Sequence, residues 1–355
     1  MTFSKVCIYG AGAIGGWIGA RLAQQPGVEL SVVARGATLA ALQQHGLRLH
    51  RATPDATGTT GAASAVDAVG NVSASQAGPL CVPVKTSAQP ADLGVQDLVV
   101  IAVKAPALAE VAQHIAPLIG PDTVVLTAMN GVPWWFLQGF GGSYANTPLA
   151  SVDPQGRIAQ AIPTQHIIGC VVHASCSLHG PAEVQHHFGN GLIIGEPSGA
   201  LSARAQALHA LLQSAGFDAT LSPQIQKDTW YKLWGNMTVN PVSALTGATT
   251  DKILNDPLVR NFISQVMLEA KAIGTAIGIP IDQQPEDRHA VTRKLGAFKT
   301  SMLQDVEAHR AVELDALVGA VRELGQITGM ATPFTDALLG LARLQAQGLG
   351  LYPAT

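Results

Sequence analysis

Two kinds of apolar run alternate near the start of the chain. "KVCIY" (5–9) and "ELSVVA" (29–34) are short and rich in β-branched residues, whereas residues 13–25 space their apolar side chains as a helix does. The pattern predicts strand, helix, strand: a βαβ unit. A second helix, "ATLAALQQHG", leads into "LRLHR". Residues 51–79, dominated by Ala, Gly, Ser and Thr, show no period and read as a long surface excursion. "DLVVIAVKA" (97–105) and "TVVLTAMNG" are continuous apolar runs of the kind buried on both faces of a parallel sheet. "HIIGCVVHAS", "AEVQHHF" and "GLIIGEP" are read as further strands, antiparallel in part.

From about residue 200 the period changes from two to 3.6. "SARAQALHALLQSAG", "LVRNFISQVMLEAKAIGTAIG", "ELDALVGAVRELGQITG" and "TPFTDALLGLARLQAQG" each predict a helix, the last opened by Thr332 and Pro333. The fold class expected is α/β, with a sheet domain over residues 1–222 and a helical domain over 223–355. A cleft between two such domains is the usual seat of a small substrate.

One helical segment stands apart. "KDTWYKLWGNMTVNPVSALTG" (227–247) sets Lys232, Asn236 and Asn240 four residues apart, so that they form a polar stripe among Trp230, Leu233, Trp234, Met237 and Val239. A lysine on a helix buried this way needs a partner or a task. The plainer alternative is a surface lysine, with Asn240 capping a second helix that starts at Pro241.

Composition narrows the field. The 355 residues carry 21 Lys+Arg against 24 Asp+Glu, a net charge of −3, which offers no basic footprint for nucleic acid. Apolar segments are broken before reaching spanning length, so no membrane partner is expected. The N-terminus runs into a strand without a charged region, an apolar region and a cleavage site, and a cytoplasmic location is expected. Four scattered cysteines (Cys7, Cys81, Cys170, Cys176) form no C-x-x-C pair. His173, His179, His186 and His187 fall close together, but His186 and His187 face opposite ways on a strand, and no metal is expected.

Gly10-Ala11-Gly12-Ala13-Ile14-Gly15 lies where the first strand meets the first helix. This is a G-x-G-x-x-G turn: one glycine for the bend, one for close approach of a pyrophosphate, one for helix packing. Where an NAD enzyme places a carboxylate for the ribose 2′-hydroxyl, the second strand ends in Arg35, which suits a 2′-phosphate and favours NADP(H). Lys104 and Asn130 sit at the C-terminal ends of later strands, the edge where ligands bind, and are candidates for cofactor contacts.

The glycine turn, the "VK" at 103–104, the "NG" at 130–131, "WYKLWGNMTVNPVSALT" and "TSMLQDVEAHRAVELD" resemble, in order, the motifs of the ketopantoate reductase (2-dehydropantoate 2-reductase) family. The resemblance implies a Rossmann-type domain followed by an all-helical domain like that of 6-phosphogluconate dehydrogenase. It further implies NADPH-dependent reduction of a 2-keto acid, most simply ketopantoate, in pantothenate biosynthesis. On the matched positions, Lys232 would donate the proton. Asn236 and Asn240 would contact substrate, Ser301 would bind its polar end, and Glu313 would hold the cofactor and organise the site. Lys104, Asn130 and Ser175 would touch the cofactor, and Asn130 also the substrate. A homodimer is compatible with this reading. The long excursion, and Phe298 and Thr250 in place of amide side chains, depart from the family pattern. A paralogous 2-keto acid reductase, a 3-hydroxyacid dehydrogenase with its own K-x-x-x-N helix and a non-catalytic NADP(H)-binding regulator remain open alternatives.

Overall fold

A computed structural model describes residues 1–51 and 78–353, so that all but the edges of the 51–79 excursion lies outside the described residues. The first part runs β1 (Lys5–Tyr9), α1 (Ala13–Leu22), β2 (Glu29–Val33), α2 (Gly36–His45), β3 (Leu47–His50), β4 (Leu80–Val82), β5 (Lys85–Ser87), β6 (Leu98–Ile101), α3 (Leu108–His114) and β7 (Val124–Thr127). It continues through α4 (Arg157–Ala161), β8 (Ile167–Gly180), β9 (Glu183–Gly195), α5 (Ala203–Ser214) and β10 (Asp218–Leu221). All ten strands form one sheet in the order β4-β3-β9-β8-β7-β6-β1-β2-β5, with β10 also paired to β9.

From β5 to β8 neighbouring strands are parallel, and β9 returns antiparallel to β8 as a long hairpin. The four residues of β6 and the four of β7 are all fully buried, because apolar clusters cover both faces of the sheet. The glycine turn explains how α1 packs so closely on β1. Gly10 has φ +99°, and a Cβ on Gly15 would sit 2.1 Å from the Gly10 carbonyl oxygen.

The pattern reading differs from the structure in two places. "AEVQHHF" and "GLIIGEP" are not two strands but one, β9. Gly189, at φ +78° and against the His173 carbonyl, takes up an irregularity that would otherwise end the pairing. Strand β10 interrupts the stretch read as purely helical, since its four residues are too few to show a period. At Pro241 no second helix begins: the single helix that carries the polar stripe holds, and the plainer alternative does not.

The second part comprises α6 (Ile225–Thr246), α7 (Thr250–Asn255), α8 (Pro257–Ala276), α9 (Pro285–Arg293), α10 (Ser301–Glu307), a π-helical turn (Asp315–Gly319), α11 (Ala320–Thr328) and α12 (Pro333–Gly348). Helix α6 is the axis of its core and runs unbroken through Pro241. The proline removes one backbone N–H, a cost of about 3 kcal/mol in a helix interior. Burial of Trp230, Leu233, Trp234, Met237, Val239 and Val242 along the same helix outweighs it. Gly274 of α8 makes the packing close, since a Cβ there would lie 2.4 Å from the Trp230 indole nitrogen. No helix among the described residues is long and apolar enough to cross a membrane.

Candidate active site

At the C-terminal ends of β1, β2 and β6 lies a cleft of about 420 Å³, lined by Gly10, Ala11, Gly12, Arg35, Thr38 and Val103 among others. A Cβ on Gly12 would meet no atom within 4 Å, and Gly12 caps α1 without a side-chain hydrogen bond. Open backbone N–H groups at the start of a ten-residue helix suit a pyrophosphate. The residues present therefore fit a dinucleotide. Arg35 stands at the cleft wall, largely exposed, and forms a two-pronged ion pair with Glu110 of α3 (Nη2 to Oε2 2.8 Å). Ala13 and Ile14 begin α1 behind the turn. Ser175 sits on β8 opposite Phe188 and is not among the residues that line this cleft.

Where the sheet meets the helical domain, the Lys232 ammonium donates to Asn130 Oδ1 (2.9 Å) and to the Val172 carbonyl of β8 (2.7 Å). Two of its three N–H donors are thereby spent, and among the described residues one is left. Asn130 is placed by the turn after β7. Gly131 has φ +83° and a Cβ there would be 2.6 Å from the Ala316 carbonyl, which also accepts from Val132 N (2.8 Å). The π-helical turn thus packs closely against the Asn-Gly turn that carries Asn130. Asn130, Gly131, Lys232 and Asn236 share the wall of a hollow of about 10 Å³, the size of a water.

Burial pulls the Lys232 ammonium down to about 8; the Glu313 charge opposes that pull and Arg288 adds to it. Cys170 is pushed up to about 12 by burial, so its thiol is neutral at ordinary pH. Glu313 is buried, and burial raises it, with the Ala105 N–H (3.0 Å to Oε1) and Lys104 acting in the other direction. Lys104 reaches across to the buried carboxylate of Asp305, which also holds Arg310 (3.1 Å). Lys104 and Glu313 thereby tie the segment after β6 to the helical domain.

Asn240 is buried two turns beyond Lys232, with its Nδ2 3.5 Å from Ser301 Oγ at the exposed start of α10. Thr250 is committed elsewhere: its hydroxyl donates to the Gly296 carbonyl (2.7 Å) and its N–H to that of Phe298 (3.0 Å). The Phe298 ring meets the exposed Phe188 of β9 edge-on at 6.3 Å, an apolar contact between the two domains.

Sequence reasoning missed three groups here: the Val172 carbonyl, His173 and Arg288. A backbone acceptor has no sequence signal. In the sequence His173 is only one of four histidines that form no metal site, yet burial, Lys232 and Arg288 together lower it to about 4, so its ring is neutral near the ammonium. Arg288 comes from α9, outside every motif. On β3 and the β8–β9 hairpin, His50, His179 and Glu183 bring ligand atoms within 4.8 Å of one another. Glu183 is already held there by a hydrogen bond with His50 (2.6 Å) and an ion pair with Arg48 (2.7 Å), which join β3 to the hairpin.

Residues 6–199 match the profile described as Ketopantoate reductase PanE/ApbA, and residues 224–346 match that of its C-terminal domain. A 2-dehydropantoate 2-reductase of Mesorhizobium japonicum is 41% identical over 348 residues, 98% of this chain and 99% of that one. A crystal structure from Ralstonia solanacearum, provisionally assigned as a ketopantoate reductase, is 52% identical with a TM-score of 0.88, covering 99% of this chain and 100% of that one. A D-mandelate dehydrogenase with NADH and anilino(oxo)acetate, 20% identical, covers 98% and 99% of the two chains with a TM-score of 0.78 and is alike in fold.

Proposed function

The chain belongs to the ketopantoate reductase family, an oxidoreductase family, and from that membership we propose that it reduces 2-dehydropantoate (ketopantoate) to pantoate with NADPH, a step of pantothenate biosynthesis. The observation that carries this reading is the Lys232 ammonium, held by Asn130 and the Val172 carbonyl with one donor unspent, at the junction of a dinucleotide cleft and a helical domain. In the proposed division of labour residues 1–222 hold the cofactor and residues 223–355 the substrate.

When bound, the dihydronicotinamide supplies the hydride. Gly10, Ala11, Gly12 and Gly15 shape the turn that receives its pyrophosphate, and Arg35 pairs with the 2′-phosphate in place of Glu110. Lys104 and Glu313 fix the segment after β6 against the helical domain. Lys232 directs its free N–H at the keto oxygen, stabilises the charge that grows there and delivers the proton. Asn236, Asn240 and Ser301 add donors and acceptors along the acid without adding charge. The neutral His173 ring leaves Lys232 as the local acid.

Ketopantoate is expected to show the highest kcat/KM in a panel of 2-keto acids followed by NADPH consumption. Reduction of another branched 2-keto acid with none of ketopantoate would move the enzyme to a different substrate and leave the reaction class intact.

The choice of NADPH rests on Arg35, since a neighbour of the same fold binds NADH. The Glu110 partner is exposed, so a phosphate dianion can displace it at small cost. Arg35→Ala is expected to raise KM for NADPH by about 10-fold or more while moving that for NADH little, because charge-assisted hydrogen bonds to a phosphate are worth roughly 1.5–3 kcal/mol. Equal losses with both cofactors would reject the assignment.

A further inference from the structure

Among the described residues Arg288 is a cation without a carboxylate partner. It projects from α9 onto α6, with its guanidinium carbon 5.2 Å from the centre of the Tyr231 ring. A Cβ at Gly235 would lie 2.6 Å from Arg288 Nε and 3.1 Å from Nη2, so glycine at this turn of α6 is what lets the side chain lie across the helix. Its Nε is buried and has no hydrogen-bond acceptor among the described residues. Among the described residues no carboxylate forms an ion pair with it; Glu286, the acidic neighbour on α9, is engaged by Arg293 instead (2.6 Å). Buried guanidinium N–H groups in native proteins are normally paired, because leaving one dry costs free energy that nothing repays.

The location of this charge is informative. Tyr231 adjoins Lys232 and Gly235 adjoins Asn236, so the guanidinium rests beside the polar stripe of α6, about one helical turn from the lysine. Its charge bears on both Lys232 and His173 of β8. The other polar groups along the stripe, Asn236, Asn240 and Ser301, are neutral.

A 2-keto acid carries its carboxylate on the carbon next to the keto carbon. With the keto oxygen at Lys232, that carboxylate must lie within a few ångströms of the ammonium, and an anion there is held more strongly by a guanidinium than by neutral donors alone. Resting on the reading of the site given above, we propose that Arg288 receives the carboxylate of the 2-keto acid, making it a specificity-determining residue for the free acid over its neutral derivatives. Tyr231 and Gly235 are positioning residues for it: one supports the face of the guanidinium, the other leaves room for its stem.

The test compares ketopantoate with its neutral lactone, which keeps the keto group and loses the charge. Arg288→Met is expected to raise KM for ketopantoate about 10–100-fold and to affect the lactone far less, with Arg288→Lys recovering part of the loss. Equal losses for both compounds, or no loss for the acid, would overturn the proposal. Calorimetric binding of oxamate to the enzyme saturated with NADP⁺ supplies a reading independent of turnover. Binding should weaken by a similar factor in Arg288→Met and Arg288→Gln, and unchanged binding in a variant with the wild-type thermal melt would equally overturn it. A wild-type enzyme that reduces neither compound would refute the proposed reaction, while the oxamate measurement would still decide the role of Arg288.

Discussion

Lys232→Ala is expected to lower turnover of the 2-keto acid by about 10²–10⁴-fold, the contribution typical of a positioned general acid. Hydride arrival turns the keto oxygen into an alkoxide, and the ammonium is the group with a donor left to meet it. Cofactor affinity should change little, since the glycine turn and Arg35 belong to the sheet domain. The pH dependence follows from the same group. Burial pulls Lys232 down to about 8. The protonated form is the proton donor, so reduction should be fully supported below that pH and fall as pH rises through it, with about a tenth of the acid form left one unit above. Steady-state kinetics of folded Lys232→Ala across pH checks both points. Near wild-type turnover in the variant would return the polar stripe to a structural seam.

Trp234→Ala should produce the largest loss of stability, about 3–5 kcal/mol. The side chain is 1% exposed in the centre of α6, and its Nε1 donates to the Met267 carbonyl of α8 at 2.7 Å. Truncation leaves a cavity that Leu233 and Met237 cannot fill without moving the helix that carries Lys232. A domain's whole stability is typically about 5–15 kcal/mol, so the loss should be plain as a lower urea midpoint with a similar slope. Trp234→Phe, which keeps most of the volume and loses the donor, should cost only about 1–2 kcal/mol. If the two variants melted alike, packing would not be what holds α6 in place.

What the sequence determined by itself is local: the βαβ opening, the glycine turn, the buried strands β6 and β7, and the spacing that puts Lys232, Asn236 and Asn240 on one side of a helix. Period and turn chemistry act over a few residues and are therefore written in the order of the letters. The tertiary structure decided what lies across space. Helix α6 continues past Pro241 because burial of its tryptophans outweighs a lost hydrogen bond, a balance invisible in the Asn-Pro dipeptide. Strand β9 continues through its glycines because β8 pairs with it on both sides of the irregularity. Lys104 ends at Asp305 and Glu313 at the Ala105 N–H, contacts 201 and 208 residues apart that only the meeting of sheet and helices creates. Arg288 belongs to the same class: its charge, its unpaired Nε and the glycine that admits it come from two helices whose packing no single stretch of sequence encodes.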